Sequence, residues 1–232
     1  LHEFDASSYA FFKNNICSLL EQSDLIFAVS DGVYDSLSQT GLTSGKMFRN
    51  YNGVDAEYWL SRTDQVIFSE RPIALYQGGI NKRLDFDLIL ETCKALPSWD
   101  FAFLGGQNTD SGRWREILTL SNVKACGHCC LEEVAQKARC ATVGWVPFRQ
   151  YPELVTSMPL KMYEYVACGL PVLSIPISGL LGESEDLFRF ATTPEEFVEK
   201  FKHIRLENSR TNPDKLLLRK TAAKANSYDK KF

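Results

Sequence analysis

From Ile73 onward the chain alternates short, unbroken apolar runs with amphipathic stretches, and this alternation constrains the fold more than any other feature. Residues 73–76, 101–104, 123–126, 141–146 and 171–175 read as strands. Helical spacing occupies residues 84–96, about 113–120, 131–138 and 160–168, and two further helices cover about 194–207 and 213–228. Strands that are apolar on both faces must be covered on both. The expected fold is therefore α/β, a doubly wound, Rossmann-like parallel sheet with right-handed crossovers. With 44% hydrophobic residues, 15 Phe, 9 Tyr and 4 Trp, the chain has ample material for a core, and disorder is excluded.

Upstream, residues 7–22 carry a helical pattern and 25–29 an apolar strand. Ser30 and Asp31 supply N-cap chemistry for a short helix ending near Gly41, residues 46–51 form a second strand, and Asn52-Gly53 signals a turn. Two βα units are too few for a parallel sheet of their own, so residues 1–58 read as the remnant of a larger α/β domain, a partial second domain whose front is missing. A polar stretch, 59–71, reads as a linker. Residues 72–211 form the main domain and 212–232 a C-terminal helix.

Ligands of doubly wound sheets bind beyond the carboxyl ends of the strands. That rule directs attention to Gln77-Gly78-Gly79, Gly105-Gly106-Gln107, Gly127-His128, Pro147-Phe148 and residues 174–179. Gly78 and Gly79 open a loop whose amides can approach an anion at the start of the next helix, with Lys82 and Arg83 nearby. A tight turn with solvated basic side chains is the plain alternative. Neither the GxGxxG nor the GxxxxGK[ST] spacing is present. A second segment, residues 156–172, contains Pro159 at a helix start, then Lys161 and Glu164 three apart on one face. A diphosphate at that helix tip would meet free amides and the Lys161 ammonium, and Glu164 could accept hydrogen bonds from ribose hydroxyls. A surface ion pair is the competing explanation.

The segment KMYEYVACGLPVLS resembles the K-x-x-E-[YA]-x-A-x-G-x-P-V element of the donor-binding domain of GT-B-fold glycosyltransferases. SDLIFAVSDG, YNGVD, ALYQGG, FAFLGGQ and NVKACGH resemble further elements of that family in the expected order. The likeness runs from about residue 7 to residue 205. It leans toward bacterial polysaccharide transferases of the teichuronic-acid type, and more loosely toward exopolysaccharide glucuronosyltransferases. The resemblance implies that Glu164 holds the ribose, that Lys161 with Leu160 at the same helix tip meets the diphosphate, and that Gly78, Gly79 and Lys82 face the phosphates. It places Gln107, Gly127 and His128 around the nucleotide. Many retaining relatives carry a second glutamate eight residues before the ribose-binding one; Thr156 stands there, leaving donor sugar and stereochemistry open. The general base belongs to the missing N-terminal part, and Asp5 is the one acidic candidate near the break.

The implied reaction is hexosyl or glucuronosyl transfer from a nucleoside diphosphate sugar, a UDP-sugar first, to a glycan or lipid-linked acceptor. No cofactor and no metal are expected, since no Asp-x-Asp pair accompanies the motifs. A non-catalytic alternative is a nucleotide-sugar-binding subunit that needs a separate acceptor domain. Cys126-Gly127-His128-Cys129 also spells a redox tetrapeptide, making a thiol–disulfide oxidoreductase using Cys126 and Cys129 the competing enzyme reading. Lys+Arg 26 against Asp+Glu 29 leaves a net charge of −3, which argues against nucleic acid as a partner. Seven cysteines without scaffold spacing and no 18-residue apolar run suggest a reduced, cytoplasmic protein. The basic tail, including Lys215, Arg219, Lys224 and Lys231, would allow peripheral contact with the inner face of the membrane; a solvated helix is the alternative.

Overall fold

A computed structural model describes residues 6–63, 65–207 and 210–231. The chain opens with α1 (Ala6–Gln22), β1 (Ile26–Ala28), α2 (Asp31–Ser38) and β2 (Met47–Arg49). The two strands pair in parallel, Phe27 opposite Phe48. Ser30 caps α2, its hydroxyl accepting from the Val33 amide at 3.3 Å. Lys46 Nζ donates to the carbonyls of Leu20 and Ser23, so a cation closes the carboxyl end of α1 and fixes the start of β2.

The stretch read as a linker begins inside a helix, α3 (Ala56–Arg62). Asp55 caps it through the Tyr58 amide, and Trp59 is only 3% exposed. The polar composition there concealed one aromatic anchor.

The main sheet is built from β3 (Ile73–Gln77), β4 (Asp100–Leu104), β5 (Val123–Ala125), β6 (Val143–Val146), β7 (Val172–Ser174) and β8 (Phe188–Phe190). All are parallel, in the spatial order β5-β4-β3-β6-β7-β8. Chain order runs outward from β3 in one direction, then returns to β6 and runs outward in the other. Right-handed crossovers therefore put the helices of the two halves on opposite faces. On one face α4 (Phe86–Ala95) packs with α5 (Gly112–Ile117) and α9 (Pro194–Leu206). On the other, α6 (Leu131–Cys140), α8 (Lys161–Ala167) and α10 (Pro213–Ala225) pack with α3. The short α7 (Pro152–Val155) and the edge strand β8 carry no strong sequence signal. β8 is three residues long and has a cation, Arg189, at its centre.

The core beneath α9 is aromatic. Trp145 in β6 meets Phe101 at 5.2 Å and Phe201 at 5.5 Å between ring centroids, and Trp99 lies edge-on to Phe201. Opposite, Gly144 in β6 lies under the ring of Tyr165 from α8, so close that a Cβ there would overlap the ring.

The acidic turn before β8 is less solvated than its sequence suggests. Asp186 pairs with Lys215 at 2.8 Å, and Glu207 takes Arg189 at 2.6 Å and Lys215 at 2.9 Å. Arg219, fully buried, donates to the carbonyls of Asp186 and Gly169. Several cations of the basic tail thus act within the fold, and Lys231 Nζ binds the Tyr51 and Asn52 carbonyls. Backbone bonds Val54 N–Asn226 O and Tyr228 N–Val54 O complete this return of the C-terminus to the upstream segment. Among the described residues no helix is long and apolar enough to cross a membrane.

Two outcomes follow for stability. The Arg189 guanidinium first, then Lys215, lower the Glu207 carboxyl from 4.5 to about 2. A lowered carboxyl stabilises the fold above its unfolded value and loses that contribution as pH falls through its folded value. Glu207→Gln should destabilise by about 1 kcal/mol near pH 7, a figure reduced for partial exposure, and the gap should close between pH 4.5 and about 2 in urea titrations. Gly144→Ala should cost about 1–3 kcal/mol in thermal melts, because the Tyr165 ring cannot yield without losing its place over the sheet.

Candidate functional site

The direction of chain travel reverses between β3 and β6, and a crevice opens at their carboxyl ends. β3 delivers Tyr76 and Gln77 to this edge and β6 leads into Pro147 and Phe148. Lys161 and Glu164, in the first turn of α8, arrive over the same edge.

Lys161 and Glu164 are not paired with each other among the described residues. The Lys161 ammonium lies 3.3 Å from the Tyr76 hydroxyl, 4.3 Å from the centre of the Tyr76 ring and 5.1 Å from that of Phe148. Tyr76 in turn donates its hydroxyl proton to the Gly79 carbonyl at 3.1 Å. Gly78 closes the box. Its φ of +132° suits glycine, and a Cβ there would sit 2.5 Å from Lys161 Nζ. Burial lowers the Lys161 ammonium to about 7, against the opposing pull of the Glu164 charge, with Arg83 adding a smaller push in the same direction as burial. Burial likewise raises the Glu164 carboxyl, partly offset by Lys161 and by a hydrogen bond from Gln77.

Helix α8 starts later than its sequence suggests. Pro159 precedes the N-cap, which is Leu160, and no side chain caps this end. Ser157 spends its hydroxyl on the Leu154 carbonyl, and the Met158 carbonyl accepts from Asn52 Nδ2 at 2.7 Å. Leu160 at this tip is 46% exposed, and the Met162 amide donates to the Pro159 carbonyl at 3.1 Å. The Gly78-Gly79 loop, by contrast, does not lead directly into a helix. α4 begins at Phe86, capped by Asp85 through the Leu88 amide, and Leu84 forms an antiparallel bridge with Phe148 on the way.

The other candidates flank the crevice. Gly78 N donates to Leu104 O and Gly105 N to Gly127 O, stitching the three loops after β3, β4 and β5 together. The Gly105 φ is +148°, and a Cβ there would strike the Gly78 carbonyl. The exposed His128 ring rests on Gly106, and Gly127 is exposed beside it. Gln107 is exposed too, accepting from Trp114 Nε1 at 3.0 Å and donating to the Thr109 carbonyl. Lys82 is exposed on the loop after Gly79. Asp5 lies outside the described residues. Thr156, at the place of the second glutamate, directs its hydroxyl to Pro152 O, while its carbonyl accepts from Gly32 N in α2.

A residue to which the sequence assigned no role also organises this edge. Tyr165 is 1% exposed, yet its hydroxyl accepts from the Gln77 amide at 2.7 Å. Gln77 and Tyr76 lie in the ALYQGG segment and at the strand end that the sequence pointed to, but no chemical role was assigned to either.

Neither Cys126 nor Cys129 of the CGHC segment caps α6. The cap of α6 is Cys130, beyond the tetrapeptide, and its amide donates to Glu133. The Cys129 thiol is raised by burial and by Glu133, the opposite of an activated thiol. A separate cavity of about 460 Å³ opens beside α6, but Ile73, Asp100 and Val123 in its lining begin their strands, so it lies away from the carboxyl edge.

Residues 71–205 match the family described as glycosyl transferases group 1. A Bacillus subtilis protein, TuaH, named for a glycosyltransferase of teichuronic acid biosynthesis, is 29% identical over 163 residues, 67% of this chain and 41% of its own length. Sucrose-phosphate synthase from Thermosynechococcus elongatus superposes with a TM-score of 0.69 at 18% identity, covering 93% of this chain and 57% of that one. HepE from Anabaena, solved with UDP and glucose, gives a TM-score of 0.70 at 12% identity, covering 92% of this chain and 62% of that one. The chain thus spans between two fifths and two thirds of these proteins, and most of it shares the fold of the two solved glycosyltransferase structures. On the extent of the family match and the six-stranded sheet that carries it, the chain belongs to the group 1 glycosyl transferases.

Proposed function

We propose that this chain is the donor-binding part of a glycosyltransferase that takes a sugar from a nucleoside diphosphate sugar. The observation that carries the reading is the convergence of Lys161 and Glu164 at the β3–β6 edge, a cation and a carboxylate held apart. Lys161 and the uncapped tip of α8 receive the diphosphate, and Glu164 accepts the ribose hydroxyls. When the bond from the sugar C1 to the phosphate oxygen breaks, negative charge grows on the leaving diphosphate. A cation and amides already in place stabilise that charge more than they stabilise the bound donor. This neutralisation calls for no cofactor in the scheme.

UDP is the first nucleotide to test, because HepE was solved with UDP and glucose and TuaH is named for polysaccharide synthesis. The acceptor, a glycan or lipid-linked sugar, and the base that activates it are assigned to the portion of the relatives that this chain does not span. We place the reaction in the cytoplasm, where sugar nucleotides are made, with the acceptor at the inner membrane face.

Glu164→Ala should weaken UDP binding about 10–100-fold by calorimetry, the worth of hydrogen bonds to a charged acceptor; unchanged affinity would remove Glu164 from its role. Because burial holds Lys161 near 7 and a diphosphate would raise it again, UDP binding should take up a proton above neutrality. Affinity should fall by up to about tenfold per pH unit from pH 7 to 9, and Lys161→Met should flatten that slope. A wild-type slope that persists in the variant rules the lysine out.

A further inference from the structure

We infer that Gln77 is a positioning residue for the nucleotide, acting through Glu164 rather than on the ligand. Gln77 Nε2 donates to Glu164 Oε2, and the Gln77 amide donates to the Tyr165 hydroxyl at 2.7 Å. Successive residues of α8 thus grip one residue at the end of β3, one through its side chain and one through its backbone. The grip spans β6, and it is possible because Gly144 leaves room for the Tyr165 ring to cross that strand. Two attachment points remove the swing of α8 that one would leave. The side-chain attachment also restrains the Glu164 carboxylate about its last torsion, since its Oε2 is held. A carboxylate on a free side chain would have to be ordered when ligand binds; here that ordering is already done by the protein. The amide donor further favours the ionised acceptor against the burial that opposes it.

This assignment rests on the donor reading above, and the test separates the two. Three probes are titrated calorimetrically into the full chain: UDP, 2′,3′-dideoxyuridine 5′-diphosphate, which lacks both ribose hydroxyls, and inorganic pyrophosphate. Gln77→Met keeps the reach of the side chain and removes its donor. It should weaken UDP about tenfold while leaving the dideoxy analogue and pyrophosphate within about twofold of wild type. Gln77→Glu, which sets a second carboxylate against Glu164, should weaken UDP further, with partial recovery on lowering pH. In a Glu164→Ala background Gln77→Met should add nothing, the signature of a residue working through its neighbour. Equal losses for UDP and the dideoxy analogue, or additive losses in the double variant, would overturn the assignment of Gln77 and leave the donor site standing. If Glu164→Ala alone leaves the preference for UDP over the dideoxy analogue unchanged, the donor reading falls and this inference falls with it.

Discussion

Tyr165, its ring over Gly144 and its hydroxyl accepting the amide proton of Gln77, ties α8 to the edge of the sheet. Everything chemical about the crevice depends on that tie. α8 has only seven residues, too few to hold an orientation by its own hydrogen bonds. Its direction is set by packing beneath α10 and α3 and by the polar contacts of Tyr165 and Glu164 with Gln77. Once α8 is placed, Lys161 falls between Tyr76 and Phe148, and Glu164 falls against Gln77.

The electrostatics of the crevice follow from burial. Lys161 is pushed toward its neutral form and Glu164 toward its protonated form, because each charge loses water and neither gains a full partner. A ligand with phosphate at one end and hydroxyls at the other offers both groups what burial withholds. Aromatic faces give the lysine a partial substitute, enough to keep it extended but not to neutralise it. On the proposed reading, binding of such a ligand would relieve the unfavourable electrostatics that burial imposes on Lys161 and Glu164. That is the economy expected of a binding surface meant to meet charge that increases during reaction.

Much of the fold could be read in the chain before any coordinates. The five apolar runs from Ile73 to Ile175 each contain a strand, and the helices between them fall near their expected places. The parallel, doubly wound order followed from those strands being apolar on both faces. Elements with weak local signals escaped: α3 hid its single buried Trp59 in a polar stretch, α7 spans one turn, and β8 carries a buried cation. Arg189 can sit in β8 because Glu207, 18 residues further along the chain, compensates its charge. Local patterning has no access to such compensation.

Lys161 and Glu164 were visible as a pair because their spacing is helical, a property of neighbouring residues. Whether they would bond to each other or point separately into a crevice was not visible, since that depends on what β3 and β6 present opposite them. The amino-acid order by itself determined the strand–helix alternation, the cap at Ser30, and the face on which Lys161 and Glu164 stand. Only the tertiary structure decided that Gln77, Tyr76, Phe148 and Tyr165 would gather around that face. They come from three separate segments joined by crossovers, and the contacts between them arise when the sheet buries both its surfaces and brings the ends of β3 and β6 side by side.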